Sequence, residues 1–189
     1  RGLAHAKSQG RVGGRPSKLL KINETFALTL VADIGESMIR VVLTTLEPRI
    51  VAEITFSNFF DIPPETTLRG IIAQAEKLLA DLGRKKADLL GVGLSLPAPV
   101  DYDNALVVGP SVMRGWDNVD IIGPMASHFD APVYVDNDVN LMTLYEYRRH
   151  FQLADDILYI KVGTGIGAGF IADGKMFRGA HGASGDIGH

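Results

Sequence analysis

Four short stretches of this chain combine residue types and spacings that could do chemistry. The first is Asp33-Ile34-Gly35-Glu36-Ser37. A carboxylate at a strand end, followed by a turn of small residues, can hold a phosphate through backbone N–H groups that point at it. Close approach asks for a small side chain where Glu36 stands. A carboxylate about 4 Å from a phosphate costs about 4 kcal/mol at an effective dielectric near 20. An ordinary hairpin turn is the other reading. The second stretch is Gly163-Thr164-Gly165-Ile166-Gly167-Ala168-Gly169. Its alternating glycines permit a tight turn and suit a second phosphate loop, or simply a hairpin. It is not the dinucleotide fingerprint, because a strand follows rather than a helix.

The third stretch is Asp136-Asn137-Asp138, between an apolar strand and a helix. Polar groups at the carboxyl end of a strand face the crevice in which α/β proteins bind ligands. A carboxylate there can accept from a hydroxyl or deprotonate it. Helix capping is the alternative, since Asp and Asn are preferred caps. The fourth is Gly182–His189, where Asp186 and His189 are three residues apart and face one ligand if the segment is helical or tightly turned. His189 is also a candidate metal ligand, with no cysteine or histidine cluster to support it.

Composition narrows the classes. Hydrophobic residues make up 46% and charged residues 22% of the 189, which fits a globular domain and excludes a disordered or fibrous chain. Cysteine is absent, so disulfides, thiolate catalysis and cysteine-ligated zinc are excluded from this chain. The apolar runs are too short to span a bilayer, and no secretory leader is visible. The net charge of −3 hides an asymmetry: residues 1–23 hold six basic residues and no acidic one, and the remainder is acidic. A basic arm on an acidic body points to nucleic acid or a membrane surface, or else to a solvated tail.

The elements that must position these groups follow from periodicity. Phe26–Asp33, Met38–Thr45 and Ile50–Ser57 read as three antiparallel strands. Glu65–Leu82 reads as a helix ended by Gly83, and Asp88–Leu96 as a fourth strand. Val119–Phe129 is a short helix, Pro132–Val135 a strand and Val139–His150 a helix. Ile157–Val162 and Ala168–Ala172 are strands joined across the glycines. Leu19–Asn23 is strand-like, after a Gly-rich stretch that cannot be helical. The pattern predicts an α/β fold, a mixed sheet flanked by helices. The final segment, Gly179–His189, has no closing element and reads as a cut.

Taken in order, these segments resemble the ROK family, which joins sugar-responsive repressors and sugar kinases. Gly115–Val119, Val135–Asn140, Gly163–Gly169 and Gly179–His189 carry the resemblance, and Leu94–Asp101 is similar to the family's sugar-side loop. The resemblance implies an actin-like ATPase, ribonuclease H-like domain over residues 24–189, with sugar in a cleft between two lobes. It places the family's sugar-binding Asn-Asp pair on Asn137 and Asp138; in kinases that Asp is the base. It places the Glu-x-x-His sugar contact on Asp186 and His189, and puts Ala98 where a glycine approaches the sugar. His189 would also be a zinc ligand in a longer parent chain, whose cysteines lie downstream. Gly13-Gly14-Arg15-Pro16 resembles the wing and linker that follow the DNA-reading helices of ROK repressors. This makes residues 1–23 a remnant of a DNA-binding domain, with Arg11, Arg15 and Lys18 near DNA.

Departures point the same way. Glu36 and Ser37 stand where the kinase phosphate motif has Gly and Thr, which tells against ATP; Ala98 and Asp186 alter the sugar side. The expectation is therefore a cytoplasmic, sugar-sensing repressor with no cofactor in this chain. Its partners would be a sugar or sugar phosphate, DNA through a preceding domain, and a second or further copies of itself as a homodimer or homotetramer. The alternative is an ATP-dependent sugar kinase using Asp138 as base. A binding module with neither role is the third reading.

Overall fold

The computed structural model describes residues 4–8, 18–59, 61–109 and 111–188. A five-stranded sheet forms its centre. It contains β3 (Leu28–Ile34), β4 (Met38–Thr45), β5 (Ile50–Ser57), β6 (Leu89–Leu96) and β9 (Val133–Asn137), in the order β5-β4-β3-β6-β9. The first three are antiparallel neighbours, and β6 and β9 run parallel to β3. Alternation explains the burial. Leu28, Leu30, Ala32 and Ile34 of β3 point into the core, and their neighbours do not.

Helix α1 (Pro64–Asp81) packs on β4 and β5 through Leu68, Ile71, Ala75, Leu78 and Leu79. Its spacing of three and four residues makes one apolar stripe. Pro64 opens it, where a missing N–H costs nothing. Gly83, at φ +64°, closes it: the Arg84 amide donates to the Leu79 carbonyl and the Gly83 amide to that of Ala80. These are the two bonds of a Schellman ending. Helix α2 (Ile122–Phe129) packs on β6 and β9. It starts later than the expected Val119, because Asn118 sits at φ +59° and the Asp120 carboxylate accepts the Gly123 amide. At the α1–α2 junction Lys86 and His128 both reach Glu76 at 3.0 Å.

Those two contacts carry a pH prediction. Hydrogen bonds from Lys86 and then His128 hold the Glu76 carboxyl below its ordinary value. A depressed carboxyl contributes stability that is present above its unfolded pKa and is lost as pH falls through the folded one. Acid unfolding of a Glu76→Gln variant should therefore show a shallower decline below about pH 4.5. Parallel acid-unfolding curves for variant and parent would contradict this.

Helix α3 (Asp138–His150) bridges the central sheet to a second one, formed by β10 (Ile157–Val162), β11 (Ile166–Ala172) and β12 (Lys175–Phe177). The odd-numbered residues of β10 are half-buried toward the body, whereas Leu158, Ile160 and Val162 are exposed. Four features were not anticipated. Strand β1 (Ala4–Ser8) pairs with β2 (Lys18–Ile22), so the strand-like run after the glycines is half of a hairpin. A small hairpin joins β7 (Val100–Asp101) to β8 (Leu106–Val107), and β12 extends the second sheet. The strand before α3 also runs on through Asp136 and Asn137 rather than ending at Val135.

Candidate functional site

The parallel strands end level with one another. Asp33 of β3 is opposite Ser95 of β6, and Ser95 is opposite Asp136 of β9. Two strand spacings of about 4.8 Å thus separate Asp33 from Asp136 along the carboxyl edge. Gly35-Glu36-Ser37 closes the β3–β4 hairpin just beyond Asp33. The Gly35 amide donates to the Met38 carbonyl, and a Cβ on Gly35 would lie 3.0 Å from that oxygen. Buried Asn58, which the sequence reading did not single out, clamps the turn from behind. Its side-chain amide donates to the Gly35 carbonyl at 2.7 Å and its backbone amide to that of Ser37. Glu36 projects from this turn into solvent.

The next segment separates three carboxamide and carboxylate groups by role. Asn137 is the cap of α3: its oxygen accepts from Val139 and Asn140, and its amide donates to the Ala98 carbonyl at 3.0 Å. Capping therefore does not depend on Asp138. Ala98 itself belongs to the core, so its carbonyl, not its side chain, joins the site. Asp136 turns the other way. One of its oxygens accepts from Arg178 at 2.6 Å, and the other from Asn140 at 3.0 Å. The Arg178 guanidinium also stacks 3.9 Å over the Tyr102 ring. Asp136 is thus a structural anchor, tying β9 to the chain after β12 and to the β7–β8 hairpin.

Asp138 has a partner that the sequence reading missed. Its Oδ1 accepts the Val139 amide at 2.8 Å, and its Oδ2 accepts Lys161 Nζ at 2.6 Å. Lys161 occupies an inward position of β10 alongside Ile157 and Tyr159. A lysine in that half-buried alternation was the available signal.

The glycine motif divides in two. Gly163, Thr164 and Gly165 form the turn between β10 and β11, and a Cβ on Gly163 or Gly165 would meet nothing within 4 Å. Gly167 and Gly169 are contact points for α3: a Cβ there would lie 2.9 Å from the Val139 side chain and 2.0 Å from Thr143 Oγ1. Packing alone therefore accounts for half of the motif. Gly169→Ala should cost about 1–3 kcal/mol through overpacking, whereas Gly163→Ala should be close to neutral. Urea denaturation of the two variants checks this; equal losses would contradict it.

Residues 179–188 form turns rather than a helix, and three glycines bring them close. A Cβ on Gly182 would strike the Val100 carbonyl, on Gly185 that of Ala168, and on Gly188 that of Ile166. The Gly185 carbonyl accepts the Ala168 amide at 2.7 Å. Gly167 touches both Val139 and Gly185, so the start of α3 and the Asp186 segment converge on β11. His189, Arg11 and Arg15 lie outside the described residues; Lys18 opens β2. No group of three or more His, Cys, Asp or Glu among the described residues could hold a metal. With no cysteine in the chain either, these residues do not fit a zinc site by themselves.

Two hollows of about 240 and 220 Å³ flank Tyr102, and neither is lined by Asn137 or Asp138. The first is walled mostly by apolar groups, and the second lies against Arg178, which is already committed to Asp136. Polar side chains meet instead at Asp138 and Lys161, next to the Asn137 cap. The motif Gly115–Val119 is structural: Trp116 is buried in the core, and Gly115 at φ +79° turns the chain beside it.

A xylose repressor of Caldicellulosiruptor bescii is 30% identical over 94% of this chain and 44% of its own length. A glucokinase of Halalkalibacterium halodurans is 30% identical over 83% of this chain and 48% of its own. A solved ROK family transcriptional regulator, described as a homologue of the Escherichia coli MLC protein, superposes with a TM-score of 0.78 at 24% identity. It covers 99% of this chain and 48% of that one. The chain thus spans about half the length of the relatives it matches, and its fold is the actin-like ATPase fold of these neighbours. No described helix is long and apolar enough to cross a membrane. The ROK family profile matches residues 29–189, and the chain belongs to the ROK family.

Proposed function

We propose that this chain is the effector-sensing part of a cytoplasmic, sugar-responsive transcriptional repressor. One observation carries the reading. The regulator covers 99% of the chain and the xylose repressor 94%, whereas the glucokinase stops at 83%. The family profile itself begins only at residue 29. Residues 1–28 lie outside the family profile, and there β1 and β2 form their hairpin in a basic, glycine-rich sequence. A basic hairpin suits phosphate contacts that position a protein on DNA, while base reading falls to other elements. Sequence-specific DNA binding belongs to a domain preceding this chain, and residues 1–23 are its wing and linker.

In this reading Asn137 and Asp138 hold the sugar, and the last segment contributes Asp186; His189, which the family resemblance pairs with it, lies outside the described residues. Asn137 couples the site to Ala98, and Asp136 with Arg178 couples it to the β7–β8 hairpin. Sugar binding acts by favouring one of two arrangements of the lobes, or of the subunits of a dimer or tetramer. A kinase reading is supported by the glucokinase relative and by the position of Asp138, but Glu36 places a carboxylate in the phosphate turn. The full-length protein, incubated with ATP, magnesium and a panel of aldopentoses and aldohexoses, should form no ADP above background. Steady sugar-dependent ADP formation would overturn the repressor reading in favour of the kinase.

A further inference from the structure

Lys161 belongs to no motif described above, yet it holds the Asp138 carboxylate on which the proposed function depends. We propose that Asp138 and Lys161 act as a single acceptor–donor unit that reads two adjacent hydroxyls of a neutral monosaccharide, and that the effector is not a sugar phosphate. The proposal rests on the sugar-sensing reading of Asp138 and names the ligand class of that site.

The argument is geometric. Lys161 Nζ lies 2.6 Å from Asp138 Oδ2, a separation of the order of that between neighbouring hydroxyl oxygens on a sugar ring. The carboxylate is the buried member of the pair, with 12% of its side chain exposed, and the ammonium is the accessible one, at 36%. An ionised carboxylate offers about four lone-pair sites and an ammonium three donors. Val139 and Lys161 take two of the acceptor sites, and Asp138 takes one of the donors. The remainder can accept the proton of one hydroxyl and donate to the oxygen of the next.

Charge decides against a phosphate. The pair is neutral as a unit, so an anionic group brought to Lys161 also meets the Asp138 carboxylate. Among the described residues Arg178, the cation beside Asp136, is already bonded to it. Hydroxyls gain from both members of the pair, and a phosphate from one.

A merely structural ion pair between β10 and α3 is the competing account, and a deoxy-sugar series separates the two. Binding of D-xylose, D-glucose, their monodeoxy analogues and glucose 6-phosphate is measured calorimetrically on the full-length protein. The same titrations are run on Lys161→Met, Lys161→Arg and Asp138→Asn. The parent should bind a neutral sugar, bind the phosphate at least about 10-fold more weakly, and lose affinity for analogues lacking either of two adjacent hydroxyls. Lys161→Met should weaken the neutral sugar about 10-fold, for one charge-assisted bond lost. It should also erase the penalty at one of the two positions. Lys161→Arg, which keeps the charge and guards against a folding defect, should retain part of that penalty. If Lys161→Met leaves the deoxy pattern unchanged, or the phosphate binds more tightly, the proposal fails while loss of binding in Asp138→Asn keeps the site reading. If Asp138→Asn also binds like the parent, both fail.

Discussion

Asp138→Asn in the full-length protein should fold, bind operator DNA, and no longer release it when sugar is added. The substitution is nearly isosteric and leaves the helix start intact, because Asn137 supplies the cap through two hydrogen bonds. The new side chain can still accept the Val139 amide. What it loses is the second carboxylate oxygen and the charge. Lys161 is a third exposed and can turn to water, so breaking this pair should cost about 1 kcal/mol or less. Sugar binding loses far more. Hydrogen bonds to a charged group contribute about 1.5–3 kcal/mol each, and two of them amount to at least about 100-fold in affinity. Thermal stability, operator affinity and sugar-induced release should be followed on the same preparation. An Asn variant that responds to sugar like the parent contradicts the assignment.

Arg178→Met should instead destabilise the domain without touching the sugar directly. The Asp136 side chain is 4% exposed, and Arg178 neutralises it at 2.6 Å. Removing the guanidinium leaves a buried carboxylate with only the Asn140 amide and the Asn137 N–H as donors. Stranding one member of a buried pair typically costs about 3–5 kcal/mol. The stack on Tyr102 is lost as well, which loosens the β7–β8 hairpin. Adding Asp136→Asn to Arg178→Met should recover part of the loss, since no uncompensated charge then remains. Urea unfolding of the three variants and the parent measures this. A single variant as stable as the parent would show that the pair contributes little.

The sequence was most legible where one local pattern decides the outcome. The apolar strand runs of β3 to β6, the stripe on α1 and the stop at Gly83 are each set by a short local stretch, and the structure follows them. It was least legible where the partner is distant. Lys161 meets Asp138 across 23 residues, and Arg178 meets Asp136 across 42. Nothing in either local stretch names the other. The β7–β8 strands are two residues each, too short for any periodicity, and the only apolar residues of Ala4–Ser8 are two alanines, a weak strand signal. The glycines of Gly163–Gly169 were legible as a motif but not as two functions. Only the packing of α3 shows that Gly167 and Gly169 make room for a helix, while Gly163 and Gly165 leave a turn open. Likewise, capping and ligand binding were alternatives for one acidic stretch in the sequence. The fold gives capping to Asn137 and pairs the Asp138 carboxylate with Lys161.

The central claim is that this domain converts sugar binding into loss of DNA binding. The most direct test is fluorescence anisotropy of the full-length protein on its own promoter DNA, titrated with neutral monosaccharides in the absence of ATP. The account predicts a sequence-specific complex that one such sugar dissociates in the parent protein and fails to dissociate in Asp138→Asn. A complex indifferent to every sugar, or one that dissociates equally in parent and variant, would contradict it.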